Sequence, residues 1–349
     1  MSQDTQDTIN ELWYTRCPVP TTSGIAQHFR WLHNEFAQHG VELKSIRASE
    51  EQAVRNSHYD HSQTNSFREG GNVPPIWTRA NGRDTAVVGI TWVDEEQVIL
   101  VRPDSDIHNV AELKGRRLGL PRRATRLVDV GRAQDLRGLL TALKLGGLER
   151  GDALFVDVVD DSDFDLREQG ERPKRRHLVA DALLSGAVDA IYAKGAVGAT
   201  LIAEHGLRAI VDINADADPF VRVNAGTPRP ITVDRKLAVE RPELVARYLA
   251  VLLRTAQWAE HHPAEVVTAI AAETGAREQE VRRGFGETLH RSLEPKLSDL
   301  YVAGLAAQKK FLLEEGFLAA DFDYEGWIVR EPLEIARQLS NDIELRQAA

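Results

Sequence analysis

Through its first two thirds the chain alternates short apolar runs of strand length with stretches of helical period, and after Arg241 it reads as almost wholly helical. Leu12-Trp13-Tyr14-Thr15-Arg16 is a strand-like run rich in aromatic and β-branched side chains. Cys17-Pro18-Val19-Pro20 cuts it off, because proline cannot donate to a sheet ladder. Thr21, Thr22 and Ser23 are candidate caps for a following helix, in which Ile25, Phe29, Leu32 and Phe36 share one face as far as Gly40. Residues 41–46 alternate, so the opening predicts a β-α-β unit with parallel strands and a right-handed crossover. Residues 49–84 are polar and irregular and predict a long, functional loop. Further strands are expected at 86–89, 97–101, 118–120, 153–159, 188–192 and 207–211, with helices at 127–147 and 177–186 between them. The charge-dense segment 160–176 predicts an exposed loop. Past the proline-opened helix start at Arg241-Pro242, Leu244, Tyr248, Val251, Leu252 and Thr255 form one apolar stripe, which is core.

Composition narrows the function. A chain of 349 residues is long enough for two domains of ordinary size. Its net charge of -10 argues against a general nucleic-acid binder or a binder of anionic membranes, so an anionic ligand has to be held by a local group of donors. The single cysteine makes an internal disulfide impossible. A polar, acidic first heptapeptide and the lack of a long apolar run set the expectation of a cytoplasmic protein without a membrane partner. No His-x-x-x-His or Cys-x-x-Cys spacing and no glycine-rich phosphate loop occurs, and neither a metal nor a cofactor is expected.

The lone Cys17 is the first candidate for chemistry. A side chain at a strand end beside a helix start sits where α/β proteins place ligands and where a helix N-terminus favours an anion or a thiolate. The commoner role of a lone cysteine is a small buried hydrophobe. The predicted loop adds His58, Tyr59, His61, Arg68 and the turn Gly70-Gly71-Asn72-Val73-Pro74-Pro75.

Two strand-helix lobes with helices added at the end suggest a periplasmic-binding-protein type II architecture. Glu112-Leu113-Lys114-Gly115-Arg116-Arg117-Leu118-Gly119-Leu120 and Ala182-Leu183-Leu184-Ser185-Gly186-Ala187-Val188-Asp189-Ala190-Ile191 resemble the sulfonate and taurine branch of that superfamily. The fold class this implies is α/β and two-lobed, with a ligand cleft between lobes and a helical C-terminal region. Lobe one is expected at 1–102 and 225–349 and lobe two at 103–224, with crossings near 101–104 and 221–227. Tyr14-x-x-Cys17-Pro18-Val19-Pro20 and Arg68-x-Gly70-Gly71-x-x-Pro74-Pro75 are more specific, and resemble the cofactorless 2'-hydroxybiphenyl-2-sulfinate desulfinase family.

That resemblance implies cleavage of a carbon-sulfur bond in an aryl sulfinate, with Cys17, His58 and Arg68 as catalytic residues and a small organosulfur anion as the partner; the sequence leaves the oligomeric state open, with a monomer expected. Arg68 would clamp the sulfinate bidentately, and the Gly70-Gly71 amides would approach it closely. Cys17 would act either as nucleophile on sulfur or as proton donor to the ring carbon, with His58, or His61 if the alignment carries a gap, setting the state of the thiol. Lys194-Gly195-Ala196 stands where the family pattern leads one to expect tryptophans, which makes Lys194 a substrate-binding candidate beside Tyr59. The alternative is a non-catalytic solute-binding protein for sulfonates or sulfinates, which needs no cysteine.

Overall fold

The computed structural model describes residues 9–123, 127–159 and 177–342. Its strands in chain order are β1 (Glu11–Arg16), β2 (Glu42–Ser45), β3 (Ser66–Glu69), β4 (Thr85–Thr91), β5 (Gln97–Val101), β6 (Arg117–Arg122), β7 (Leu154–Val159), β8 (Ala190–Lys194), β9 (Arg208–Asp212) and β10 (Arg229–Asp234). They form two sheets, ordered β2-β1-β3-β10-β4 and β7-β6-β8-β5-β9. Around them lie α1 (Thr22–His28), α2 (Trp31–Gln38), α3 (Gln52–Asp60), α4 (Val73–Ala80), α5 (Val130–Leu145), α6 (Leu178–Leu184), α7 (Gly195–His205) and the short α8 (Pro219–Arg222). After β10 the chain is helical through α9 (Arg235–Glu240), α10 (Pro242–Ala259), α11 (Pro263–Thr274), α12 (Glu278–Phe285), α13 (Asp299–Glu314) and α14 (Glu331–Leu339).

The opening β-α-β unit is present, with β1 parallel to β2 in the register Leu12 to Leu43. The first sheet is covered on both faces, so both the central strand β3 and the outermost strand β4 are buried end to end. The apolar stripe of α10 lies in this core, where Tyr248 stacks on Phe67 with ring centroids 4.0 Å apart. Each such fully buried large apolar side chain contributes roughly 1.5–3 kcal/mol, which keeps the site strands rigid. Val128 just ahead of α5 and Ala133 in its first turn, with Ala196 of α7, belong to the same core, so the second lobe packs directly onto the first. No described helix is long and apolar enough to cross a membrane.

Three expectations need correction. β5 belongs to the second lobe's sheet, between β8 and β9, so the outward crossing falls between Trp92 and Glu96 rather than at 101–104. An apolar strand fits either lobe by pattern, and only its partners assign it. Residues 49–84 are not a loop: they hold α3, β3 and α4. The helix expected from Ile25 to Gly40 is two helices, broken at Arg30 in the left-handed conformation (φ 61°), where Phe29 and Trp31 stack on each other and both meet Trp258 edge-on. The segment 160–176 lies outside the described residues.

Candidate active site

Parallel pairing of β1 with β3 sets Thr15 opposite Arg68 and Arg16 opposite Glu69. The next residues on each strand, Cys17 and Gly70, therefore meet at the same sheet edge, with the Cys17 N–H donating to the Glu69 carbonyl at 3.1 Å. Gly70 is needed there: its φ is +147°, and a Cβ would lie 2.5 Å from Cys17 Sγ. Gly71 is pressed against the return segment from lobe two, where a Cβ would sit 2.9 Å from the Ala225 carbonyl oxygen. Asn72 ties the same loops together, donating from Nδ2 to the carbonyls of Asn224 (2.7 Å) and Pro228 (2.9 Å). The thiol thus stands where β1, β3 and the crossing to β10 converge.

Helix α3 brings His58 to the thiol. His58 Nε2 is 3.6 Å from Cys17 Sγ, and its Nδ1 is 2.7 Å from Thr15 Oγ1. With Nδ1–H donating to Thr15, the Nε2 lone pair faces the sulfur. Burial first, then the Arg68 and Arg47 charges, hold the imidazole pKa well below its ordinary value, so the ring is neutral at neutral pH. His61 is elsewhere: it ends α3 in the left-handed conformation and faces Ser66 Oγ at 3.3 Å and Asp234. Geometry therefore selects His58 as the histidine at the thiol, and Tyr59 packs edge-on against it at 5.0 Å.

Arg68 is fully buried, and its guanidinium is engaged on three sides: Nε donates to the His58 carbonyl (2.9 Å), Nη1 to the Gly71 carbonyl (3.0 Å), and Nη2 to Cys17 Sγ (3.5 Å). Of the two edges on which the expected bidentate clamp could form, the side-on one is closed by the Nε bond, and the charge is aimed at the sulfur. The helix start beside Cys17 is also occupied. The α1 amides of Thr22 and Ser23 donate to the buried Glu69 carboxylate at 3.1 and 2.7 Å, and Thr21 Oγ1 caps Gly24 N. Burial raises the Glu69 pKa. Lys194 is paired, its Nζ lying 2.6 Å from Oε1 of the buried Glu95. Sequence reading missed Glu95 and the wholly buried Arg229 nearby, because an isolated charge in a sequence reads as surface.

These burials make stability depend on pH in two opposite senses. His58 and His61 (lowered to about 3, by burial and then by Arg68 and Arg83) bind protons in the unfolded chain near pH 6.5 but not in the fold, so they cost stability as pH falls below 6.5. Asp135 is raised by burial to about 7; its folded pKa lies above its unfolded one, so its contribution is full below pH 3.8 and is lost as pH rises through 7. Denaturant titrations of the Asp135→Asn chain should show the histidines' loss of roughly 1 kcal/mol per pH unit each from pH 6.5 to 5, a fall that Asp135 offsets in part in the unaltered protein. Asp135→Asn should raise stability at pH 8 and leave it unchanged at pH 4. An equal effect of that substitution at both pH values would contradict the assignment.

The fold is that of the two-lobed periplasmic-binding-protein type II class. The periplasmic aliphatic sulphonate-binding protein SsuA from Escherichia coli superposes with a TM-score of 0.65 over 93% of each chain, at 16% identity, a likeness of fold alone. Within that class the chain is homologous to a desulfinase. It is 29% identical to the 2'-hydroxybiphenyl-2-sulfinate desulfinase of Rhodococcus erythropolis, with 92% of each chain covered. The desulfinase of Rhodococcus qingshengii matches equally. Among solved structures, a cysteine-to-serine mutant of the desulfurization enzyme DszB in complex with biphenyl-2-sulfinic acid superposes with a TM-score of 0.74 at 28% identity, covering 95% of this chain and 99% of that one. No family model matches the chain.

Proposed function

We propose that the chain is a cofactor-independent, hydrolytic desulfinase that releases sulfite from an aromatic sulfinate. The observation that carries this reading is the set of contacts on one thiol: His58 Nε2 at 3.6 Å on one side and Arg68 Nη2 at 3.5 Å on the other, with Thr15 orienting the imidazole. A solute-binding protein has no use for this arrangement. The homology to a desulfinase supports the carbon-sulfur chemistry, and water is the second substrate, giving arene and bisulfite.

The electrostatics favour Cys17 as proton donor over Cys17 as nucleophile. A buried imidazole whose basicity is suppressed is a poor resting place for the thiol proton, and attack by a thiolate on a sulfinate would bring two anions together. In the favoured route the S–H proton passes to the ring carbon that bears sulfur, the carbon-sulfur electron pair returns to the ring as sulfur departs as sulfur dioxide, and Arg68 faces the thiolate left behind. Hydration of sulfur dioxide yields bisulfite and a proton, and that proton restores the thiol. His58 orients the S–H throughout.

The test is sulfite release by the purified protein from 2'-hydroxybiphenyl-2-sulfinate and from simpler benzenesulfinates, with the protein's intact mass read after rapid quenching during turnover. Equimolar sulfite and arene with an unmodified protein mass are expected. A protein carrying one added sulfur dioxide would replace this route by nucleophilic attack. Tight sulfinate binding without sulfite from any substrate would return the chain to the binding-protein reading.

A further inference from the structure

Arg68 has its Nε–H committed to the His58 carbonyl, so it does not offer a sulfinate the side-on edge of its guanidinium. On Arg229 that edge has no hydrogen-bond partner. It stands at the start of β10, paired in register with Thr91 of β4, and is 0% exposed. Nη1 reaches the Val93 carbonyl at 3.3 Å. Its Nε and Nη2 atoms, the two that together grip a carboxylate or sulfinate side-on, make no hydrogen bond. The Glu95 carboxylate forms an ion pair with Nη2 at 3.7 Å, beyond hydrogen-bond length, and is itself held by Lys194 at 2.6 Å. The Cys17 sulfur is among the groups within electrostatic reach of Arg229, and the loop preceding Arg229 is tied to Asn72 through the Asn224 and Pro228 carbonyls.

A buried guanidinium with two donors unmade costs stability, of the order of a lost hydrogen bond or more for each. A fold keeps such a group where a ligand completes it. We propose that Arg229 is the residue that grips the substrate's sulfinate, through Nε and Nη2, and that it holds the sulfite product in the same way. This rests on the desulfinase reading and divides the work of the two arginines: Arg68 governs the thiol and Arg229 the sulfur oxyanion. Glu95, with Lys194 behind it, is the counter-charge that a bound anion displaces electrostatically.

The test separates binding from turnover. In the Cys17→Ser background, biphenyl-2-sulfinate and the uncharged 2-hydroxybiphenyl are titrated calorimetrically into chains carrying Arg229, Arg229→Lys or Arg229→Gln, with thermal unfolding recorded for each. Sulfinate affinity should fall at least tenfold in Arg229→Gln and less in Arg229→Lys, while 2-hydroxybiphenyl affinity stays within twofold. In the active protein, sulfite inhibition should weaken in parallel. Glu95→Gln supplies an independent arm should the Arg229 variants not fold: removing the competing carboxylate should tighten sulfinate binding several-fold. Unchanged sulfinate affinity on Arg229 substitution, equal losses for the neutral ligand, or weaker binding in Glu95→Gln would each overturn the assignment. Failure of the desulfinase reading shows separately, as absence of sulfite from the unaltered protein.

Discussion

Replacing Cys17 by serine should lower the rate of sulfite release by roughly a thousandfold or more while leaving sulfinate affinity within a few-fold, a loss typical of removing a reacting group. The substitution changes one atom in a half-buried position whose neighbours are held independently of it, the His58 ring by Thr15 and the Arg68 guanidinium by the His58 and Gly71 carbonyls. The fold should therefore persist. Serine fails for two reasons. Its hydroxyl is a far weaker acid than a thiol, whose ordinary pKa is about 8.5, and its shorter C–O bond draws the proton back from the ring carbon. Sulfite assay and calorimetry on the same preparation decide the matter. A serine variant that turns over at the native rate would remove the thiol from the mechanism and leave Arg68 and His58 without a reacting partner.

The parts of this site that were legible in the sequence are those whose local chemistry is unusual. A Trp-Tyr-Thr run ended by two prolines announced both β1 and the strand end that carries Cys17. β3 was invisible for the opposite reason. Ser66-Phe67-Arg68-Glu69 has one apolar residue in four and reads as surface, yet every residue of it is buried, because Arg68 and Glu69 are satisfied by His58, Gly71, Thr22 and Ser23 from other elements. Hydrophobic patterning detects burial in a core, not burial in a polar network. β10 hid behind Pro230, since proline argues against an inner strand, although Ile231-Thr232-Val233 is β-branched throughout. Lys194 was singled out for its charge, but what that charge faces, the Glu95 carboxylate, comes from a different strand-to-strand crossing and could not be inferred from spacing.

That polar network makes the backbone at Gly70 as demanding as any side chain in the site. Alanine there should cost roughly 1–3 kcal/mol of stability, because φ +147° is a conformation that L side chains rarely adopt. It should also cost activity out of proportion to that loss. The new methyl carbon would fall 2.5 Å from Cys17 Sγ, 2.7 Å from its Cβ and 3.1 Å from its backbone nitrogen, so the thiol itself has to move. A displacement of the order of 1 Å at a reacting atom is worth about a hundredfold in rate. Gly82→Ala is the matched control: φ is +85° there and nothing lies within 4 Å of the added carbon, so it carries the backbone strain without the collision. Melting curves of the two variants should fall together, while sulfite release should collapse only in Gly70→Ala. If both variants kept full activity, the tight approach of the β3 end to Cys17 would be packing alone, and the reacting position of the sulfur would have to lie away from Gly70, out of reach of the Arg68 guanidinium that Gly71 holds in place.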